Sequence, residues 1–368
     1  VTYAVLFPSK KIAQILRKVF PDCTFLTISE SPAKWFTSSE LSNNRYCSVY
    51  YAIQEYKKSN IQRFLIFPSK AINTTHIVSE LEVNGVSSDH ILYLSHANIC
   101  NGSPYQFSPY KNRDELFSLS VHVSASCNLN CAHCSSMCGL QTIHKKIDLN
   151  TTFKSIQRLN RLFNSIINIQ IIGGEPLLCP ELLDFLHAVR NCYPLSKIEI
   201  ITNGTLLLQR ETEFYERISQ DNISISISYY PVLSNSIDEI NNLLKSKKID
   251  YSISNKIMHF YKFYNLSGDS DPLSTYYNCQ SIQYCKNGLT LLEDYLYPCV
   301  APIALERAGL ILSSQYGINL TSNVTKNDII QLLCTPMNIC SFCHMDYQER
   351  WHQLDEQEVD TVKSWSVI

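Results

Sequence analysis

The sequence predicts an α/β protein, and three observations carry that expectation. Short apolar runs alternate with amphipathic stretches along most of the 368 residues. Leu6-Phe7-Pro8-Ser9-Lys10 is echoed sixty residues later by Ile66-Phe67-Pro68-Ser69-Lys70, as if one strand–turn–helix unit were used twice. Several of the later runs end in small polar residues or glycine, the punctuation of a strand passing into a loop. Such alternation builds largely parallel sheets covered by helices.

Taken in order, Tyr3-Ala4-Val5-Leu6-Phe7 reads as a strand, followed by Ile12, Ile15, Leu16 and Val19 at helical spacing. Phe64–Phe67 repeats the strand, Ile77, Val78 and Leu81 the helix, and His90–Leu94 adds a further strand. These define a small Rossmann-like α/β domain over residues 1–112. Residues 101–116, with Asn101-Gly102-Ser103-Pro104 and Ser108-Pro109, carry turn residues without periodicity and read as a linker. Ser9-Lys10 and Ser69-Lys70 are the residue types of a helix cap, and no glycine-rich phosphate loop accompanies them.

Residues 113–265 resume the alternation. The strands expected are Leu119–Val123, Ile166–Ile172, Ile198–Thr202, Ile223–Ser228 and Tyr251–Ser254, with helical patterns between them. In sheets of this kind ligands sit at the carboxyl ends of the strands. Residues 266–368 form a third, cysteine-rich region with a hairpin pattern, Leu289–Leu292 and Tyr295–Tyr297, around Glu293-Asp294.

Composition narrows the function. The 31 basic and 33 acidic side chains leave no positive excess, so nucleic-acid binding is not expected. No apolar run approaches the ~20 residues of a membrane span and no leader pattern opens the chain, which points to a cytoplasmic protein. The 15 cysteines are an odd count and strongly clustered, so thiol ligands are a better reading than a disulfide framework.

Cys127, Cys131 and Cys134 follow the strand Leu119–Val123 in a Cys-x3-Cys-x2-Cys loop. Three thiolates so spaced can hold three irons of a cubane and leave the fourth open to a small molecule. With Cys138 the loop also has the four thiols of a zinc site, so zinc remains an alternative on spacing alone. Gly173-Gly174-Glu175-Pro176 ends the next strand, 39 residues after Cys134. Two glycines there permit close backbone approach, and a carboxylate beside them can bind an ammonium group. Thr202-Asn203-Gly204 and Ser228 end the following two strands.

On these residues the chain resembles the radical S-adenosylmethionine (SAM) enzymes over residues 117 to about 265. Their signature is Cys-x3-Cys-x-(aromatic)-Cys at the end of the first strand of a partial (β/α)6 barrel, with His133 here in the aromatic slot. The resemblance implies that Cys127, Cys131 and Cys134 ligate a [4Fe–4S] cluster and that SAM binds its open iron. Gly173, Gly174 and Glu175 match the motif for the SAM amino group, and Thr202, Asn203 and Ser228 are implied as further SAM contacts. Cys138 is a candidate thiol hydrogen donor.

A second thiol set, Cys279, Cys285, Cys299, Cys334, Cys340 and Cys343, resembles the SPASM and twitch extensions, which hold auxiliary [4Fe–4S] clusters. No cysteine follows Cys343, so the shorter twitch form with one auxiliary cluster fits better. Cys299, Cys340 and Cys343 are the first ligands expected, with Cys279 ahead of Cys285 for the fourth; a structural zinc site is the alternative. The resemblance implies oxidative radical chemistry on a ribosomally made peptide, or alternatively on a sugar, cyclitol or other small molecule. It also implies a flavodoxin- or ferredoxin-like electron donor. A non-catalytic Fe–S or zinc protein is the rival reading, and Gly173-Gly174-Glu175-Pro176 argues against it.

Overall fold

The computed structural model describes residues 2–6, 10–20, 23–28, 45–47, 49–67, 74–95, 99, 105–110, 115–138, 146–279, 289–334, 336–344 and 348–354. The chain divides into two compact units, Val1–Glu115 and Leu116–Ile368.

The first unit is built on β1 (Thr2–Leu6), β2 (Thr24–Ile28), β3 (Arg45–Cys47), β4 (Arg63–Ile66), β5 (Ile91–Tyr93) and β6 (Ser108–Pro109), in the order β3-β2-β1-β4-β5-β6. The first five pair in parallel. Two apolar clusters form its interior: Ile12, Ile15 and Leu16 pack with Val5 and Leu65, while Ile53, Ile77 and Leu81 pack with Ala4 and Phe64. β6 falls in the expected linker, running antiparallel to β5. It is a sheet edge, where Pro109 leaves no ladder donor missing. The Pro8-Ser9 and Pro68-Ser69-Lys70 turns lie outside the described residues.

The second unit is organised by β7 (Glu115–Ser124), β8 (Ser165–Gly173), β9 (Lys197–Thr202), β10 (Ile223–Ile227) and β11 (Tyr251–Ile253), neighbours in that order. Helices Leu149–Leu162, Leu182–Cys192, Thr212–Gln220 and Ile237–Ser246 alternate with them. Side-chain alternation explains the layering. Leu119, Val121, Ile169, Ile171, Ile198, Ile200, Ile223 and Ile225 join helix residues Ile156, Leu159, Leu186 and Ile218 in one core. The intervening residues of these strands occupy the opposite face and are mostly polar, among them Ser120, Gln170, Ser224 and Ser226, with Ile172 and Ile201 as apolar exceptions.

β12 (His259–Tyr261) does not extend the sheet beyond β11. It pairs antiparallel with β16 (Gln348–Arg350). On the other side of β7 the hairpin of β13 (Leu289–Leu292) and β14 (Tyr295–Tyr297) joins the same sheet, β13 running parallel to β7, and β15 (Ile318–Asn319) follows β14. β13 is thus a sixth strand in the parallel direction, and β14 and β15 continue the sheet antiparallel. Glu293 takes φ +52° in the hairpin turn, where a glycine is the easier fit. No described helix is long and apolar enough to cross a membrane.

Candidate active site

Cys127, Cys131 and Cys134 line one cavity of about 270 Å³ at the carboxyl ends of β7 to β10, together with Gly173, Gly174, Thr202, Asn203, Ser228 and Tyr230. Ser120, Gln170 and Thr290 lie deeper along the same wall, and no acidic or basic side chain lines it among the described residues. A larger cleft of about 540 Å³, lined by Lys146, Asp148, Glu181 and Asp184, shares no residue with it and contains no thiol.

The cysteine loop is placed by the end of β8. Gly174 N donates to Ser124 O at 2.8 Å and Glu175 N to Ser126 O at 2.8 Å. A Cβ on Gly173 would meet Ser124 O at 2.2 Å, and one on Gly174 would meet Ser126 O at 2.2 Å. The two glycines are there because the loop backbone occupies the space of their side chains.

Glu175 has no exposed surface and does not line the cavity. Its carboxylate accepts from Leu177 N (3.0 Å), Thr202 Oγ1 (2.7 Å) and Asn203 N (2.8 Å). Burial pushes its carboxyl up, and the hydrogen bonds of Thr202, Asn203 and Leu177 act against that. The side chain ties the end of β8 to the end of β9, while the cavity sees the glycines.

Asn203 continues this bracing. Its Nδ2 donates to Asn128 Oδ1 at 2.9 Å, and Asn128 Nδ2 donates to Thr205 Oγ1 at 2.8 Å. Leu129 N lies 3.4 Å from Cys127 Sγ. Sequence reasoning misses Asn128 and Thr205, although Asn128 directly follows Cys127 and Thr205 follows the Thr-Asn-Gly motif. His133 adopts φ +59°, the turn that separates Cys131 from Cys134.

Burial pushes the Cys127 thiol up to about 11 and the Cys131 thiol up to about 12. Cys134 is lowered, chiefly by its hydrogen bond with Cys138, whose own thiol is raised by the same bond and by burial. Cys138 is buried, does not line the cavity, and accepts from an Arg307 guanidinium N–H at 3.6 Å.

A strap missed from sequence crosses this loop. Ala132 N donates to His352 O (3.1 Å), Leu354 N to Asn130 O (2.7 Å), and Cys131 forms an antiparallel bridge with Gln353. Trp351 N donates to Met258 O at 2.9 Å, and its indole stacks on Tyr230 with ring centres 5.5 Å apart. Only an alternation of large and polar residues after Cys343 signals the strap in sequence, and several folds would produce that.

The later thiols gather separately. Cys279, Cys299, Cys340 and Cys343 pack in one cluster with Met137, Tyr264 and Tyr276. Burial pushes Cys299 up to about 12, and Cys279 and Cys340 add to the rise; Cys343 is raised by burial and then by Cys299, Cys279 and Cys340. Cys285 lies outside the described residues, as does the side chain of Cys334. Four thiols are thus within electrostatic reach of one another.

Both sets fit iron–sulfur clusters. Among the described residues no three His, Cys, Asp or Glu side chains stand close enough to share one metal ion. The first set has three thiols beside an open, glycine-walled cavity; the second brings together four among the described residues.

A family model described as a 4Fe-4S single cluster domain matches residues 118–246. The chain is 36% identical over 88 residues to molybdenum cofactor biosynthesis protein 1 of Bos taurus, covering 23% of this chain and 14% of that protein. It is 29% identical over 116 residues to the GTP 3',8-cyclase of Heliobacterium modesticaldum, covering 31% and 34%. The chain therefore spans about a third or less of the length of these curated relatives. Among solved structures, BtrN in complex with AdoMet and 2-DOIA aligns at TM-score 0.43 and 16% identity, over 63% of this chain and 95% of that one. Native anSMEcpe with bound AdoMet aligns at TM-score 0.42 and 12% identity, over 62% and 82%. The matched segment spans the cysteine loop and the carboxyl ends of β7 to β10, so the part of the chain that walls the cavity, residues 118–246, is the part that matches a 4Fe-4S single cluster domain.

Proposed function

We propose that the protein is a radical SAM enzyme performing an oxidative modification at a C–H bond of a neutral, polar substrate. The observation that carries this is the shared cavity: three thiols, two side-chain-free glycines and the polar ends of β9 and β10 line one space. Cys127, Cys131 and Cys134 would hold the cluster, and SAM bound there supplies, on reductive cleavage, a 5′-deoxyadenosyl radical that abstracts hydrogen.

The protein's own residues do the rest. The Gly173 and Gly174 backbone gives the methionine end of SAM close access, and Thr202, Asn203 and Ser228 offer hydrogen bonds beside it. Glu175 acts one step back, by fixing Thr202 and Asn203. Tyr230 and Phe260 supply apolar walls that limit water near the reacting carbon. Cys279, Cys299, Cys340 and Cys343 would hold an auxiliary cluster able to accept the electron that a substrate radical gives up as it is oxidised to product. An external one-electron donor completes the cycle.

On substrate class, the cavity bears on the choice. Its small volume and its lining, free of charged side chains among the described residues, favour a small neutral molecule over a leader-bearing peptide. The test is anaerobic incubation of the reduced protein with SAM and a deuterated cell extract separated by size. Deuterium in 5′-deoxyadenosine from the small-molecule fraction supports the reading. Deuterium only from the peptide fraction reverses the substrate choice, and no 5′-deoxyadenosine at all overturns the enzyme class.

A further inference from the structure

The indole N–H of Trp351 is buried and has no hydrogen-bond partner among the described residues. Orphaned buried donors are rare, and each calls for an explanation such as a ligand the group was placed to meet. Trp351 is not loosely held. Its backbone N–H bonds Met258 O, its ring stacks on Tyr230, and the next three residues pair with the backbone of Asn130, Cys131 and Ala132. The strap thus carries Trp351 alongside the cysteine loop, two residues before the Cys131–Gln353 bridge, with its ring against Tyr230, which lines the same cavity as Cys131.

We infer that Trp351 is a positioning residue for the first cluster, its N–H donating to the Cys131 sulfur once that sulfur is a cluster ligand. The inference rests on the cluster assignment made under the proposed function. A thiol sulfur shares its lone pairs with its own proton and is a weak acceptor, whereas a ligating thiolate is a good one. That explains why the described residues offer the indole no other acceptor. A hydrogen bond to a ligating sulfur withdraws charge and favours the reduced cluster, so it raises the reduction potential. Among the thiols of the loop, Cys127 has an equivalent aid from Leu129 N, while Cys131 would draw its own from a residue more than two hundred positions away.

The experiment is a redox titration of the fully loaded protein, following the first cluster by electron paramagnetic resonance, in the wild type and in Trp351→Phe. Phenylalanine keeps a ring against Tyr230 and removes the N–H. At the wild-type midpoint the ratio of reduced to oxidised first cluster should fall roughly threefold to tenfold, with iron and sulfide content unchanged. If Trp351→Phe fails to assemble, 3-benzothienylalanine at position 351 keeps the indole shape without its N–H and gives the same comparison. An unchanged potential with full iron content overturns the inference. So does a loss of SAM affinity at unchanged potential, which would mean that the indole serves SAM instead. Wild-type protein lacking sulfide would instead refute the cluster assignment, before any variant is compared.

Discussion

The phenol of Tyr264 donates to Ser135 O at 2.5 Å, while the backbone of the same residue forms an antiparallel bridge with Cys343. One buried tyrosine therefore grips the loop of the first thiol set with its side chain and a cysteine of the second with its main chain. Arg307 makes a parallel connection, donating to Ser136 O at 2.7 Å from the helix that begins two residues after Cys299. The two sets are braced against each other within one unit.

Tyr264→Phe removes the donor and leaves Ser135 O without it in a buried setting. Unfolding free energy should fall by about 1–3 kcal/mol, measured by chemical denaturation of the holo-protein under argon. The first set should lose iron faster to a chelator than in the wild type. Unchanged stability and unchanged iron release would show that the two sets are independent.

Glu175→Gln puts an amide where three donors converge. Gln has one carbonyl oxygen for the two sites now filled by carboxylate oxygens, and its NH2 must face the Asn203 N–H or the Leu177 and Thr202 donors. A loss of about 1.5–3 kcal/mol in stability is expected, and SAM affinity should fall only as far as Thr202 and Asn203 shift. Thr202→Val, which removes one of the three donors, should reproduce part of both effects. A large loss of SAM affinity at unchanged stability would restore Glu175 as a direct SAM partner.

The second set predicts a sharp division among its cysteines. Cys279→Ser should reduce iron from about eight to about four per chain, whereas Cys285→Ser and Cys334→Ser should leave it near about eight. Iron and sulfide assays after anaerobic reconstitution decide this. Equal losses in Cys279→Ser and Cys285→Ser would mean that both thiols are ligands.

His122 gives a pH dependence. It is fully buried on β7, both ring nitrogens lack partners among the described residues, and burial lowers its pKa to about 3, with Arg307 adding to the effect. The folded chain therefore keeps it neutral, while the unfolded chain protonates it below about pH 6.5. Stability is fully present above that value and declines as pH falls towards 3. Between pH 7 and pH 5 the loss should be about 2 kcal/mol. His122→Asn should flatten this difference in paired denaturation curves, and an equal slope in both proteins would contradict the assignment.

Much of this was legible in the sequence because it is local. The strands of the second unit show period-two alternation, as in Ile223-Ser224-Ile225-Ser226-Ile227, and their ends are marked by Gly173-Gly174 and Thr202-Asn203-Gly204. The three thiols of the first set lie within one loop. What was not legible depends on distant pairing. β3 is three residues long, too short for any period to register. The strap, Tyr264 and Arg307 act through contacts spanning from about 130 to over 200 positions, which no local pattern encodes. Glu175 was legible as a motif, but its bonds to Leu177, Thr202 and Asn203 were not, because a motif names a residue without saying which way its carboxylate turns.

The most direct test of the central claim compares the wild type with a Cys127→Ala, Cys131→Ala, Cys134→Ala triple variant, each reconstituted anaerobically, reduced and given SAM. The wild type should form 5′-deoxyadenosine and carry about eight iron atoms per chain; the triple variant should form none and keep about four, those of the second set. Equal 5′-deoxyadenosine from both proteins, or a wild type that binds zinc without sulfide, would contradict the account.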